Sequence, residues 1–190
     1  MHSTNLNMTA MNKSVKIIAA ALMATVFVPS VSCQKLTVNE TTGKYREEHA
    51  IKVDSVKKDT LFKRTYKWLY TRFPNTGDKG TYINADKGKI VAHEYFNPDA
   101  RSLADYTNLR IGYVMTCEFS DNKVKYNYTD FYYFSTGEGK VNFESEKFQK
   151  NDVQIRDVML KTAYDHVTNM ASELTAYLQK LKKTTPPKKK

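Results

Sequence analysis

Between Leu109 and Phe119 the chain alternates. Leu109, Ile111, Tyr113, Met115, Cys117 and Phe119 occupy every second position, and Arg110, Gly112, Val114, Thr116 and Glu118 lie between them. A period of two is the signature of a strand that buries one face. Ser120-Asp121-Asn122-Lys123 then predicts a tight turn into an antiparallel partner, Val124 to Phe134. That turn sets Val124, Tyr126 and Tyr128 opposite Phe119, Cys117 and Met115. Asp130 interrupts the alternation, which predicts a β-bulge near Asp130-Phe131.

The remaining elements follow from weaker patterns. A first, peripheral strand is predicted within Thr42 to Val53, where Tyr45, Glu47, His49, Ile51 and Val53 alternate loosely. Leu61, Phe62, Thr65, Trp68, Leu69 and Phe73 recur three or four residues apart, predicting a helix from Thr60 to Phe73 with Asp59 as its cap and Pro74 as its stop. Thr81 to Asn84 and Lys89 to Tyr95 form a hairpin about Ala85 to Gly88, and a loop carries the chain on to about Thr107. From Asp152 to Lys182 a single long helix is predicted, with Leu160, Tyr164, Val167, Ala171, Leu174, Leu178 and Leu181 stepping by four and three. At about 45 Å it is longer than the domain is expected to cover. Its last two turns are therefore expected to project, or to pair with another chain in a homodimer; a helix lying on a sheet produces the same stripe.

These elements make an α+β domain with an antiparallel sheet in the order β-α-β-β-β-β-α, followed by the long C-terminal helix. The domain spans 34–150, the helix 151–183, and 184–190 is a disordered basic tail. Length agrees, since 190 residues accommodate one domain.

Charge and the first thirty-three residues place the protein. Lys13 and Lys16 precede a twelve-residue apolar run, Ile17 to Val28, and Pro29-Ser30-Val31-Ser32 follows. This is the three-part pattern of a secretory signal, too short to cross a bilayer. Cleavage after Cys33 leaves Gln34 as the first residue of a soluble periplasmic protein. The alternative is cleavage after Ser32 with lipidation of Cys33, which anchors the protein to the outer membrane and gives it its only membrane contact. The soluble form is favoured because structure begins within about ten residues, at Thr37 to Tyr45, leaving little spacer. The formal charge of +10 is mainly terminal. Without the two leader lysines and Lys180, Lys182, Lys183, Lys188, Lys189 and Lys190, residues 34–179 hold +2. No basic stripe for phosphate contacts is expected, so nucleic acid is excluded as a partner. With Cys33 removed or lipidated, Cys117 has no disulfide partner and reads as a small buried hydrophobe.

Several short segments, in this order, carry a family resemblance. They are Thr42-Gly43-Lys44, Ile51-Lys52-Val53, the helix running Asp59 to Leu69, Asp86-Lys87-Gly88-Lys89-Ile90-Val91, and the hairpin Asp121 to Tyr126. Together they resemble the bacterial domain-of-unknown-function family 4468, over roughly residues 36 to 134. The resemblance implies a TBP-like fold, meaning a curved antiparallel sheet backed by helices, in an exported bacterial protein. It implies no activity, and the fold name carries no DNA binding with it.

Candidate chemistry is sparse. His49, His93 and His166 stand on separate elements, and the chain has no HExxH, CxxC, GxSxG or phosphate-cradling glycine loop. No cofactor, metal or catalytic residue is expected, and the protein reads as non-enzymatic. A binding module is the better class. With helices over Ile83, Ile90, Ile111, Met115 and Tyr126, the opposite sheet face is expected to present Tyr82, Val91, His93, Tyr95, Phe131 and Tyr133 to an envelope ligand or protein. This assignment inverts with a one-residue change of register. The alternative class is an assembly protein that pairs through the long helix.

Overall fold

The computed structural model describes residues 36–73, 82–84, 87–99 and 101–182. Seven strands form one sheet: β1 (Thr37–Val38), β2 (Tyr45–Lys52), β3 (Tyr82–Asn84), β4 (Lys89–Phe96), β5 (Arg110–Ser120), β6 (Lys123–Ser135) and β7 (Gly139–Asn142). Among the described residues three α-helices accompany them: α1 (Lys58–Arg72), α2 (Glu146–Gln149) and α3 (Val153–Lys182). The order across the sheet is β1-β2-β6-β5-β4-β3, and every pairing is antiparallel. β7 joins the edge of β6 that β2 leaves open: β2 pairs with Lys123 to Tyr128, β7 with Tyr132 to Ser135. Both β1 and β7 are too short to show a period in sequence, and the expected order lacked them.

The central hairpin has the predicted register, with Phe119 opposite Val124, Cys117 opposite Tyr126 and Met115 opposite Tyr128. The bulge is also where the broken alternation placed it. Val114 pairs with Thr129 and Gly112 with Tyr132, so Asp130 and Phe131 together oppose Tyr113. Asp130 takes a left-handed φ of 53°, a conformation that Asp tolerates better than most residues. Lys44 Nζ holds its carboxylate at 2.5 Å, and Thr129 Oγ1 donates to it at 3.0 Å.

That extra residue corrects the expected sheet faces. Before the bulge, the even residues Val124, Tyr126 and Tyr128 point to the core; after it, the odd residues Phe131 and Tyr133 do, and both are 0% exposed. Phe131 stacks against Phe143, and Tyr133 meets Tyr106 edge-on. Neither belongs to the open face on which they were expected. Tyr132 and Phe134 take that place, Phe134 with 40% of its surface exposed.

The helices lie on the core side. Met159, Leu160, Ala163, Val167, Met170, Ala171, Leu174 and Leu178 of α3 are buried, together with Leu61, Trp68 and Leu69 of α1. The α3 stripe therefore belongs to the domain's own core as far as Leu178, one turn from the helix end. The α1 cap also differs from expectation. Asp59 lies in the first turn, and Asp121, from the β5–β6 turn, accepts a hydrogen bond from the Lys58 N–H at 2.9 Å. Cys117 is fully buried, and burial pushes its thiol pKa well up, as a structural cysteine requires.

The phase change at Asp130 makes a directional prediction. Phe131→Ala should cost about 3–5 kcal/mol in urea unfolding, whereas Phe134→Ala, three residues on and facing outward, should stay within about 1 kcal/mol.

Candidate functional site

Face-to-face pairing fixes which side chains share the open side of the sheet. Tyr95 on β4, Gly112 on β5, Tyr132 on β6 and Asn142 on β7 form one row; Arg110, Phe134 and Lys140 form the next. Gly112 is the key small residue. A Cβ there would come within 2.2 Å of the Tyr132 ring, so the missing side chain is the seat for that ring. The neighbouring tyrosine carries a cation as well: Arg110 lies over the Tyr95 ring at 5.0 Å, and Lys140 lies over Tyr132 at 4.2 Å. Tyr95 keeps 54% of its surface exposed.

Tyr95, Arg110, Tyr132, Phe134 and Lys140 line an open trough of about 310 Å³. Neither Arg110 nor Lys140 has an ion pair with a described residue, and no carboxylate lines the trough. Tyr132 and Lys140 also border an adjoining cleft of about 610 Å³, where His93, Asn142, Asp130 and Glu144 supply polar groups. Both cleft carboxylates are engaged. Asp130 is held by Lys44, and Glu144 Oε1 accepts from the Tyr45 N–H at 3.0 Å. Burial alone would raise the Asp130 carboxyl, but the hydrogen bonds from Lys44 and Thr129 override it and hold the pKa below the ordinary value.

Of the residues expected at the site, the structure brings His93 and Tyr95 to the open face. Tyr82 pairs with Val91, four residues along β4 from Tyr95 and so about 13 Å away; its side chain lies outside the described residues. Phe131 and Tyr133 are in the core. Cys33, the leader and the lysine tail beyond Lys182 also lie outside the described residues. Arg110, Tyr132, Phe134 and Lys140 were missed. A signal for Tyr132 was present, because a glycine in the middle of a paired strand calls for a large ring from its neighbour.

Behind the sheet lies a second polar group that sequence did not disclose. Glu94 is 7% exposed on the core side of β4, and its Oε1 has no hydrogen-bond partner. His166, expected on the solvated face of α3, instead stacks on Phe96 at 3.7 Å and shares a 3.3 Å hydrogen bond with the Tyr113 hydroxyl. Burial lifts the Glu94 carboxyl to about 7; burial, helped by the charge of Arg72, lowers His166 to about 4. Arg72 is itself paired with Glu173 at 3.4 Å. Glu94 and the half-buried His166 are therefore uncharged in their preferred states. Among the described residues no three His, Cys, Asp or Glu side chains gather as a metal site. The open face can stack rings and hold anions.

An antiparallel sheet with its helices gathered on one side defines an α+β domain with a TBP-like fold. Residues 48–134 match the family model described as a domain of unknown function (DUF4468) with TBP-like fold, as the sequence resemblance implied. Two crystal structures share the architecture. A TBP-like protein from Parabacteroides distasonis superposes with a TM-score of 0.61 at 15% identity, covering 75% of this chain and 97% of that one. A DUF4468 family protein from Bacteroides ovatus gives 0.57 at 14% identity, covering 84% and 95%. No curated protein matches the sequence.

The buried pair sets opposed pH dependences. Glu94 prefers its proton in the fold, so its contribution is full below about 4.5 and is lost as pH rises through 7. His166 resists protonation, so its contribution is full above 6.5 and is lost as pH falls towards 4. Across the shared window the two oppose each other. Glu94→Gln should therefore stabilise the protein by roughly 2–3 kcal/mol at pH 8 and by little at pH 4.5. His166→Gln should leave a stability that rises on acidification from pH 7 to 5. Thermal unfolding of the three proteins across this range measures both.

Proposed function

We propose that this chain is an exported, non-enzymatic binding module that takes an envelope ligand on the open face of its sheet. One observation carries the reading. Tyr95, Tyr132 and Phe134 converge with Arg110 and Lys140, neither ion-paired among the described residues, on the side of the sheet opposite α1 and α3, at a trough seated on Gly112. Exposed aromatic clusters of this kind mark interaction surfaces in soluble proteins. The three-part leader ending at Cys33 supports export to the periplasm, with lipidation of Cys33 and anchoring to the outer membrane as the alternative. A module of this kind needs no cofactor and no catalytic group. The likeness to solved structures supports the fold and leaves the ligand to be read from this face. Pairing through the long helix is the weaker reading, because its stripe is buried on the sheet.

The test is retention of polysaccharide and protein fractions of the host envelope by the immobilised protein. Tyr95→Ala combined with Phe134→Ala should lower retention at least about tenfold, which corresponds to one good stacking contact, while circular dichroism and melting temperature stay near wild type. Retention unchanged in that variant would remove the open face as the site.

A further inference from the structure

We propose that the ligand of the open face is an acidic glycan, a chain of sugar rings bearing carboxylates; this rests on the binding reading above and names its chemistry. The trough offers both halves of such a ligand a partner. Tyr95 and Phe134 present half-exposed aromatic surface, on which the C–H face of a pyranose ring packs. Arg110 and Lys140 flank Phe134 from the two neighbouring strands, so their attachment points lie about 10 Å apart. Both cations are exposed, neither is ion-paired with a described residue, and no acid lines the trough. Anionic groups on neighbouring rings can meet them in turn, Arg110 offering a planar fork to a carboxylate.

The adjoining cleft favours a sugar over a nucleic acid. His93 and Asn142 offer hydrogen-bonding groups, and Asp130 and Glu144 offer carboxylate oxygens to which hydroxyls donate. A glycan can set its carboxylates at the trough cations and turn hydroxyls towards these two carboxylates, whereas a phosphodiester backbone brings its charged links into the cleft with no hydroxyl donors of its own. Cations elsewhere on this face do not form a track either. Arg46 pairs with Glu48, and Lys89 pairs with Glu118 at 3.9 Å, level with Lys125 at the end of β6 far from the trough. A run of phosphates needs an uninterrupted basic groove.

Calorimetric titration of the purified protein with galacturonate, glucuronate and mannuronate trimers decides the matter, with their methyl esters as neutral twins and an oligothymidylate as the nucleic-acid arm. At least one acidic trimer should bind about tenfold more tightly than its ester, and the affinity should fall between 50 and 200 mM salt, the range over which exposed charges are screened. Arg110→Gln and Lys140→Gln should each weaken it about five- to tenfold, while Lys125→Gln, exposed on the same face but distant from the trough, should leave it unchanged. Equal binding of ester and acid overturns the inference, as does tighter binding of oligothymidylate through the same residues. Failure of all three acidic trimers, with Tyr95→Ala/Phe134→Ala still abolishing envelope retention, also overturns the glycan and leaves the face standing. Unchanged retention in that double variant removes both.

Discussion

One residue out of step in β6 decides which aromatic rings hold this protein together and which meet its surroundings. The run Phe131-Tyr132-Tyr133-Phe134 has two rings for each side of the sheet. Without the bulge at Asp130, Tyr132 and Phe134 would enter the core, and Phe131 and Tyr133 would face outward. With it, Phe131 and Tyr133 join Phe143, Phe148 and Tyr106 in a fully packed cluster. Lys44, which follows Gly43 at a φ of 66°, reaches the Asp130 carboxylate from outside the strand. That half-exposed ion pair contributes little by itself. β6 then presents its first half to β2 and its second half to β7, and the change of partner falls at the bulge.

Much of this was legible in the sequence, and the reasons differ by element. The β5–β6 register could be read because eleven residues alternate without a break and the turn between them is short. The bulge could be read from the position of Asp130, yet the faces beyond it were assigned as though the phase continued. The misplacement of Phe131 and Tyr133 follows directly from that. Four consecutive aromatics carry no polar marker to expose the error. The Asp121 cap on α1 was invisible for another reason: it is a contact across 63 residues, whereas Asp59 offers the same chemistry locally. Glu94 and His166 could not be found by periodicity either. A carboxylate on a strand and a histidine between Asp165 and Val167 both read as solvent-facing until the helix is docked on the sheet.

The two faces of the sheet handle polar groups in opposite ways. On the core side, Glu94 and His166 are stripped of water and driven towards their neutral forms. On the open side, Arg110 lies over the Tyr95 ring and Lys140 over the Tyr132 ring. That difference separates the groups that tune stability from those of the proposed binding face. The overall charge of residues 34–179 conceals it, because a small net value contains an aromatic trough lined by Arg110 and Lys140, neither ion-paired among the described residues.

The central claim is the phase of β6, and the Gly112 α-proton resonances report it most directly. With Tyr132 seated over Gly112, one α-proton should be displaced upfield of its partner by the ring and should show nuclear Overhauser contacts to the Tyr132 ring protons. Contacts from Gly112 to the Tyr133 ring instead, with both α-protons near their unstructured positions, would contradict the account.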